Sequence, residues 1–337
     1  MYNKFMTNQK KIPITALTGF LGSGKTTLLN HILENNHGLK IGVVVNDYGD
    51  INIDSQLVAG QTDKMLELTN GCICCSMENM ELDEAIGQFA YPGTPIDYIV
   101  IEASGLAEPA DLAVTLRDAM GSKTRLDSIV AVLDAANLEH NAETNTTALH
   151  QIEYSDFVII NKIDLVESTK VDLIKQLITG INERARIFTA VKGQIDVRLL
   201  LDQNLRLEAA KEEHSHEHHQ HLHESYSTVS FKSDKPLDPV KFQTFVNEQL
   251  PVEIYRAKGF VDLGNKGHRR KYIFQLVGKR AELTWSDWGE EKPMTQLVFI
   301  GKDFDKENIE RLLDDCIDKK PNEFDPEKQV VLPKRER

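Results

Sequence analysis

The chain has 337 residues, of which 27% are charged, and a net charge of −13, so it is long enough for two domains with buried cores. The negative charge argues against a nucleic-acid partner or an anionic membrane surface, because both attract basic proteins. No apolar run is long enough to span a membrane, and residues 1–11 are too polar for a signal peptide. The sequence therefore predicts a cytoplasmic protein.

The first apolar run, residues 12–17, predicts a strand that leads into a glycine-rich loop. From residue 19 the loop reads Gly-Phe-Leu-Gly-Ser-Gly-Lys-Thr and matches the P-loop pattern G-x-x-x-x-G-K-[ST]. Its glycines let backbone N–H groups turn toward a phosphate chain, and a helix predicted over 26–35 adds its dipole. The alternative is an ordinary glycine-rich turn. The predicted nucleotide contacts are Gly19, Gly22, Ser23, Gly24, Lys25, Thr26 and Thr27, with Lys25 on the β- and γ-phosphates and Thr26 on Mg²⁺.

A second predicted strand, 41–46, is followed by an acidic loop with Asp47, Asp50 and Asp54. Such a loop could meet the γ-phosphate and Mg²⁺, and Asp54 is the candidate catalytic carboxylate within it. No glutamine stands where it would orient the attacking water. The sequence therefore predicts slow intrinsic hydrolysis.

Three of the four cysteines lie together at Cys72, Cys74 and Cys75, which suits a reducing compartment and a thiolate site. Soft thiolates select Zn²⁺ or Cu(I), and Zn²⁺ takes four tetrahedral ligands. Three neighbouring thiolates leave a fourth position for Asp50, Glu78, water or an incoming acceptor, as a metal-transfer site requires. The alternatives are buried apolar cysteines or a redox pair.

The next predicted strand, 98–102, ends at Glu102, the position of the Walker-B carboxylate that holds Mg²⁺. Three residues later, Gly105 could present its N–H to the γ-phosphate. The alternative is a carboxylate that caps the following helix. Lys25, Asp54 and Glu102 together are the predicted catalytic residues.

Further apolar runs predict strands at 128–134, 157–161 and 186–190, with helices at 110–120 and 170–183. Continuous apolar strands between helices are typical of an α/β, doubly wound, mostly parallel sheet covered by helices. The strand at 157–161 ends in N-K-x-D, formed by Asn161, Lys162 and Asp164. Asp164 can accept from the N1–H and N2–H₂ edge of guanine, which adenine lacks. The alternative is an Asn-capped turn, but after a P-loop the motif indicates GTP.

A second module follows a His-rich tract. We predict a P-loop domain over 1–207, a linker over 208–225, a smaller α+β domain over 226–318 and a polar tail over 319–337. The predicted strands of the α+β domain are 226–231, 255–262, 272–277, 280–285 and 296–300, and its predicted helices are 239–250 and 306–317. Cys316 is predicted to lie in its core. The linker histidines form an auxiliary metal-prone cluster or merely a solvated segment: His214, His216, His218, His219, His221 and His223.

Five motifs occur in order: GFLGSGKTT, NDYGDINID, GCICC, IEASGL and NKID. Together they resemble the CobW-type GTPases, a branch of the SIMIBI class that includes zinc-regulated metalloprotein activators. Residues 256–259 and Trp285 resemble that family's C-terminal domain. The resemblance implies a Mg²⁺-dependent GTPase that binds a transition metal at C-x-C-C and delivers it to an apo-enzyme client. Asp47 and Asp50 stand where relatives commonly carry Glu, and shorter carboxylates could alter the metal preference.

Two other functions stay open on the sequence alone. One is a passive zinc, nickel or cobalt buffer with a vestigial GTPase, in which the His tract binds the metal. The other is a nucleotide-dependent transferase with a redox C-x-C-C, which the guanine motif disfavours. The sequence also leaves open Co²⁺ or Ni²⁺ in place of Zn²⁺ and a nucleotide-dependent dimer. Client docking is expected on the C-terminal domain.

Overall fold

A computed structural model describes residues 11–35, 38–46, 64–68, 86–87, 89, 96–105, 123–139, 146–201, 226–264 and 268–319. The chain divides into two compact units, Met1–Gln203 and Asn204–Arg337. The predicted linker, 208–225, lies outside the described residues, and its boundaries stay a prediction.

The described strands of the N-terminal unit form one seven-stranded sheet in the order β3-β2-β4-β1-β5-β6-β7. Every neighbouring pair is parallel, which confirms the predicted α/β class. The strands are β1 (Ile12–Thr18), β2 (Ile41–Asn46), β3 (Lys64–Leu68), β4 (Tyr98–Glu102), β5 (Thr124–Asp134), β6 (Phe157–Asn161) and β7 (Arg186–Thr189).

The α-helices of this unit with described bounds are α1 (Lys25–Glu34), α2 (Thr147–Glu153), α3 (Ser168–Ile181) and α4 (Val197–Leu200). The apolar positions of α3 recur at helical spacing, and Val171, Ile174 and Ile178 pack in one cluster with Val158 and Ile160 of β6. A strand such as β6 is buried along its whole length, because helices cover a parallel sheet. The continuous apolar runs in the sequence follow from that burial.

One row of residues in register crosses four strands near their carboxyl ends. Glu102 of β4 pairs with Leu17 of β1 on one side and with Val45 of β2 on the other. Val45 in turn pairs with Glu67 of β3. Since neighbouring parallel strands run in the same direction, the carboxyl ends of β1, β2, β3 and β4 lie side by side at one edge of the sheet.

The C-terminal unit has a five-stranded antiparallel sheet in the order β11-β10-β9-β12-β8. Its core includes two edge-to-face aromatic pairs, Phe242 with Phe274 and Phe245 with Phe299. Cys316 is also buried there, and its Sγ lies 3.2 Å from Leu312 O, which confirms its predicted place in the core. The elements are β8 (Tyr226–Ser233), α5 (Pro239–Thr244), β9 (Ile254–Asp262), β10 (Lys271–Val277), β11 (Arg280–Ser286), β12 (Thr295–Lys302) and α6 (Lys306–Asp315).

The structure differs from the predicted elements at several positions. β3 was not predicted, and neither were the short helices α2 and α4. The helix predicted over 239–250 is α-helical only to Thr244 and continues as a π-helical turn, Phe245–Gln249. The helix predicted over 110–120 lies outside the described residues. No helix among the described residues combines the length and apolar character that a membrane span needs.

Candidate nucleotide site

The glycine-rich loop connects β1 to α1 at the carboxyl edge of the sheet. Ser23 N donates to Phe20 O at 3.1 Å and closes a turn inside the loop. Gly24 has φ of 104°, a left-handed conformation, and a Cβ on it would overlap the side-chain amide of Asn161. A glycine at position 24 is therefore required both by the backbone and by the close approach of Asn161.

Lys25 folds back over this loop. Its Nζ donates to Gly19 O at 2.9 Å and to Phe20 O at 3.4 Å, and the residue is only 8% exposed. A buried ammonium is costly unless it is hydrogen-bonded or paired. The loop carbonyls thus hold Lys25 at the position from which it can contact phosphate oxygens.

Two hydroxyls at the loop are buried without a hydrogen-bond partner among the described residues. They are Thr18 Oγ1, at the end of β1, and Ser23 Oγ, within the loop. Buried polar groups are nearly always hydrogen-bonded, so such groups call for a ligand. A phosphate chain offers acceptor oxygens for these hydroxyls and fits the loop.

Thr26 and Glu102 lie together, as the sequence predicted. Thr26 Oγ1 donates to Glu102 Oε1 at 2.7 Å, and Glu102 is 2% exposed. Hydroxyl and carboxylate oxygens are the ligands that Mg²⁺ takes in phosphate sites. This pair therefore fits a magnesium ion. Thr27, by contrast, is exposed in the first turn of α1.

Asn161 and Lys162 fasten the end of β6 to the glycine-rich loop. Asn161 Nδ2 donates to Ser23 O at 2.9 Å, and its Oδ1 accepts from Gly193 N at 3.0 Å. Lys162 Nζ donates to Gly22 O at 2.7 Å. The N-K-x-D segment and the P-loop thus form one hydrogen-bonded assembly.

Asp164 follows in a 3-10 turn, Ile163–Leu165, and is exposed. Among the described residues, no hydrogen bond or ion pair joins it to the glycine-rich loop. An exposed carboxylate two residues beyond Lys162 is free of steric cover and can meet the edge of a base.

Asp134, at the end of β5, was not predicted as a site residue. It is 5% exposed, and its Oδ2 accepts from Lys162 Nζ at 2.8 Å. Burial raises the pKa of this carboxyl, but hydrogen bonds from Lys162, Asn137 and Ala136 outweigh burial and lower its pKa overall. The sequence signal existed: Asp134 ends a continuous apolar strand, as Glu102 does.

Gly105 lies against the P-loop, since a Cβ there would come within 2.7 Å of Leu21 N. Gly105 O accepts from Gln151 Nε2 at 3.2 Å, and Gln151 is fully buried on α2. Gln151 therefore holds the backbone at Gly105, where the sequence predicts a γ-phosphate contact. Sequence reasoning missed Gln151 because α2 was not predicted.

Two family models match the chain in succession. The first, "CobW/HypB/UreG, nucleotide-binding domain", matches residues 13–189. The second, "Cobalamin synthesis protein cobW C-terminal domain", matches residues 226–317. The chain belongs to the CobW family. This agrees with the resemblance of its motifs, and the family supports a nucleotide-binding P-loop protein with GTPase activity.

Named relatives of this CobW-family protein include the zinc chaperone YjiA of Escherichia coli, which is 32% identical over 88% of this chain and 96% of the relative. The zinc-regulated GTPase metalloprotein activator 1 of Schizosaccharomyces pombe is 32% identical over 88% of this chain and 81% of the relative. A crystal structure of Zn(II)-bound YjiA GTPase from E. coli shares 26% identity, covering 92% of this chain and 100% of that chain, with a TM-score of 0.44.

The predicted transition-metal ligands of this CobW-family protein lie outside the described residues. This applies to Asp50, the catalytic candidate Asp54, the three clustered cysteines and the histidines of the linker. Within the part of the chain that the structure describes, no three His, Cys, Asp or Glu side chains are grouped as metal ligands.

Proposed function

We propose that this protein is a Mg²⁺-dependent GTPase that binds zinc at Cys72, Cys74 and Cys75 and delivers it to client apo-enzymes. One observation carries the nucleotide half of this proposal: the N-K-x-D residues Asn161 and Lys162 hydrogen-bond directly to the P-loop carbonyls. A base-recognition motif bonded in this way to a phosphate loop suits one ligand with both a guanine and a phosphate chain.

In this proposal the P-loop binds the phosphates through its N–H groups and through the hydroxyls of Thr18 and Ser23. Lys25 exchanges its carbonyl partners, Gly19 and Phe20, for β- and γ-phosphate oxygens. Asp164 accepts from the guanine edge. Gly105, held by Gln151, presents its N–H to the γ-phosphate. Hydrolysis breaks the bond between the β- and γ-phosphates and adds water, giving GDP and phosphate.

Thr26 and Glu102 would hold the magnesium ion, Glu102 directly or through water. A bound Mg²⁺ neutralises charge on the β- and γ-phosphates as the bond breaks. Glu102 accepts from the Thr26 hydroxyl, so the carboxylate and the hydroxyl are adjacent. Asp54 is the proposed catalytic carboxylate of the acidic loop, and the intrinsic rate is proposed to be slow.

The sheet topology supports placing the cysteines near this site. β3 ends at Leu68 at the carboxyl edge of the sheet, and Cys72 follows four residues later in the sequence. β3 lies two strands from β4, about 10 Å at the usual strand spacing. Four extended residues reach at most about 13 Å. We therefore propose that the thiolates come within reach of the loops around Glu102, so that GTP and metal influence each other's binding.

The names of the relatives support zinc as the cargo, since they are called a zinc chaperone and a zinc-regulated activator. Co²⁺ or Ni²⁺ in place of Zn²⁺ is the alternative cargo, Asp50 is a candidate fourth ligand, and the histidines at 214–223 are a candidate auxiliary site. The client docks on the C-terminal unit in this proposal.

The experiment separates this proposal from a passive buffer. Zinc binding is titrated in wild-type protein, in Cys74→Ser and in a variant with the six linker histidines replaced by serine. The proposal expects one tight zinc ion to survive the histidine replacements and to be lost in Cys74→Ser, with GTP affinity kept. A passive buffer gives the reverse pattern. The nucleotide half is tested by comparing GTP and ATP affinities. The wild-type protein should bind GTP at least about 100-fold more tightly than ATP, and Asp164→Ala should lose this preference.

A further inference from the structure

The carboxylate of Asp134 is linked to the P-loop through one intervening residue, Lys162. Asp134 ends β5 and pairs in register with Asn161 at the end of β6, so the two strands deliver these residues side by side. Asp134 contacts Lys162 but none of the P-loop residues directly. Its hydrogen-bonded link to the P-loop runs through Lys162, which also donates to Gly22 O.

Both oxygens of the Asp134 carboxylate are used. Oδ1 accepts from Ala136 N at 2.9 Å and from Asn137 N at 3.3 Å. Oδ2 accepts from Asn137 Nδ2 at 2.9 Å and from Lys162 Nζ at 2.8 Å. Four donors fix the orientation of this carboxylate, so it presents Oδ2 to Lys162 as a rigid acceptor.

Lys162 itself has an uncommon backbone conformation. Its φ of 61° and ψ of 34° lie in the left-handed region, which side chains other than glycine seldom adopt. From that backbone its ammonium lies between Asp134 Oδ2 and Gly22 O. The same left-handed residue turns the chain into the 3-10 helix that carries Asp164.

We propose that Asp134 is a positioning residue for guanine nucleotides: it anchors Lys162 so that the base-recognition segment and the P-loop are aligned before the ligand binds. This inference rests on the proposed function of the site. Asp134 hydrogen-bonds the N-K-x-D segment, which recognises the base, and not Gly105, the proposed contact of the γ-phosphate. Its effect therefore falls equally on GTP and GDP and leaves the hydrolytic step unchanged.

Asp134→Asn tests the inference, because an amide cannot replace this carboxylate in either orientation. Each oxygen of Asp134 accepts from two donors, so the NH₂ group of asparagine would face two donors wherever it pointed. The matched control is Asp156→Asn. Asp156 Oδ2 accepts from Ile129 N at 2.9 Å at the amino end of β6, away from the P-loop.

Dissociation constants for GTP and GDP are measured by calorimetry, and kcat by phosphate release. Asp134→Asn should weaken both nucleotides by about tenfold, as expected for a charge-assisted hydrogen bond, with kcat within about twofold of wild type. Asp156→Asn should bind both nucleotides as wild type does. Lys162→Met and Asp134→Asn/Lys162→Met should bind GTP equally weakly, because Asp134 acts through Lys162.

Wild-type GTP and GDP affinity in Asp134→Asn would overturn the inference, as would additive losses in the double variant. If Asp134→Asn does not fold, Asp134→Ala takes its place, because alanine removes the acceptor without setting an NH₂ group against the four donors; it should weaken GTP and GDP by about tenfold, and wild-type affinity would overturn the inference. Failure of the proposed function gives a different result: the wild-type protein itself would show no preference for GTP over ATP.

Discussion

Replacing Asn161 with alanine should separate the two roles of the P-loop assembly, stability and nucleotide binding. Asn161 is 1% exposed, and alanine would leave Ser23 O and Gly193 N buried without these partners. Each orphaned group costs about 1–3 kcal/mol, so the N-terminal unit should lose roughly 2–6 kcal/mol of unfolding free energy. In a unit of this size, 2 kcal/mol lowers Tm by at least about 4 °C.

Nucleotide affinity should fall with it. Without Asn161 the backbone of Ser23 is no longer held in place. If ordering it again on GTP binding costs about 2 kcal/mol, GTP affinity falls about 30-fold. The matched control is Asn182→Ala. Asn182 Nδ2 donates to Ile152 O, Glu153 O and Ser155 O, which joins α2 to the end of α3 away from the P-loop.

Thermal unfolding followed by circular dichroism and GTP titration by calorimetry give the two readouts. Asn182→Ala should lose stability comparably but bind GTP within about twofold of wild type, since it has no P-loop contact. The reasoning is refuted if Asn161→Ala keeps wild-type GTP affinity, or if both variants lose affinity in proportion to their lost stability.

Three further outcomes are expected. Glu102→Gln should lower kcat for Mg²⁺-GTP by at least about 100-fold while GTP binding in EDTA stays within about twofold; hydrolysis at the wild-type rate would contradict the Mg²⁺ assignment. Burial raises the pKa of Cys316 to about 11 from 9.0, so at pH 8 its thiolate should be about 100-fold rarer than in urea-unfolded protein, and iodoacetamide labelling followed by mass spectrometry should be slower by at least that factor. The folded-state pKa of Asp134 lies below its ordinary 3.8. Its contribution to stability is therefore present above that pH and is lost as the pH falls through the lower folded value. Between pH 5 and 3 the urea midpoint should fall less in Asp134→Asn than in wild type, and an equal fall would contradict this.

The parallel sheet could be predicted from the sequence because its strands are buried on both faces, and such strands are continuous runs of apolar residues. β2, β4 and β6 have the bounds expected from such runs, at 41–46, 98–102 and 157–161. β3 has no comparable signal, because two of the five residues in Lys-Met-Leu-Glu-Leu are charged. α4 is a single turn, begun by Asp196, whose carboxylate accepts from Arg198 N, and its helical pattern is too short to detect.

Some residues of the candidate site could likewise be predicted from the sequence, and others could not. Motif spacing identified Asn161, Lys162 and Glu102, but it carried no information about which of their hydrogen bonds go to the P-loop. The contacts of Asp134 and Gln151 join residues distant in the chain, Asp134 to Lys162 and Gln151 to Gly105. Such pairings depend on how strands and helices are ordered in space, which periodicity in one sequence does not encode.

The central claim is that nucleotide and zinc bind at one edge of the sheet and affect each other. The most direct measurement is the GTP dissociation constant with and without one equivalent of Zn²⁺, in wild-type protein and in Cys74→Ser. Coupling typical of linked sites predicts a change of about 5- to 150-fold in wild type, an equal reciprocal effect of GTP on zinc affinity, and no change in Cys74→Ser. Identical GTP affinities with and without zinc in the wild-type protein would contradict the claim.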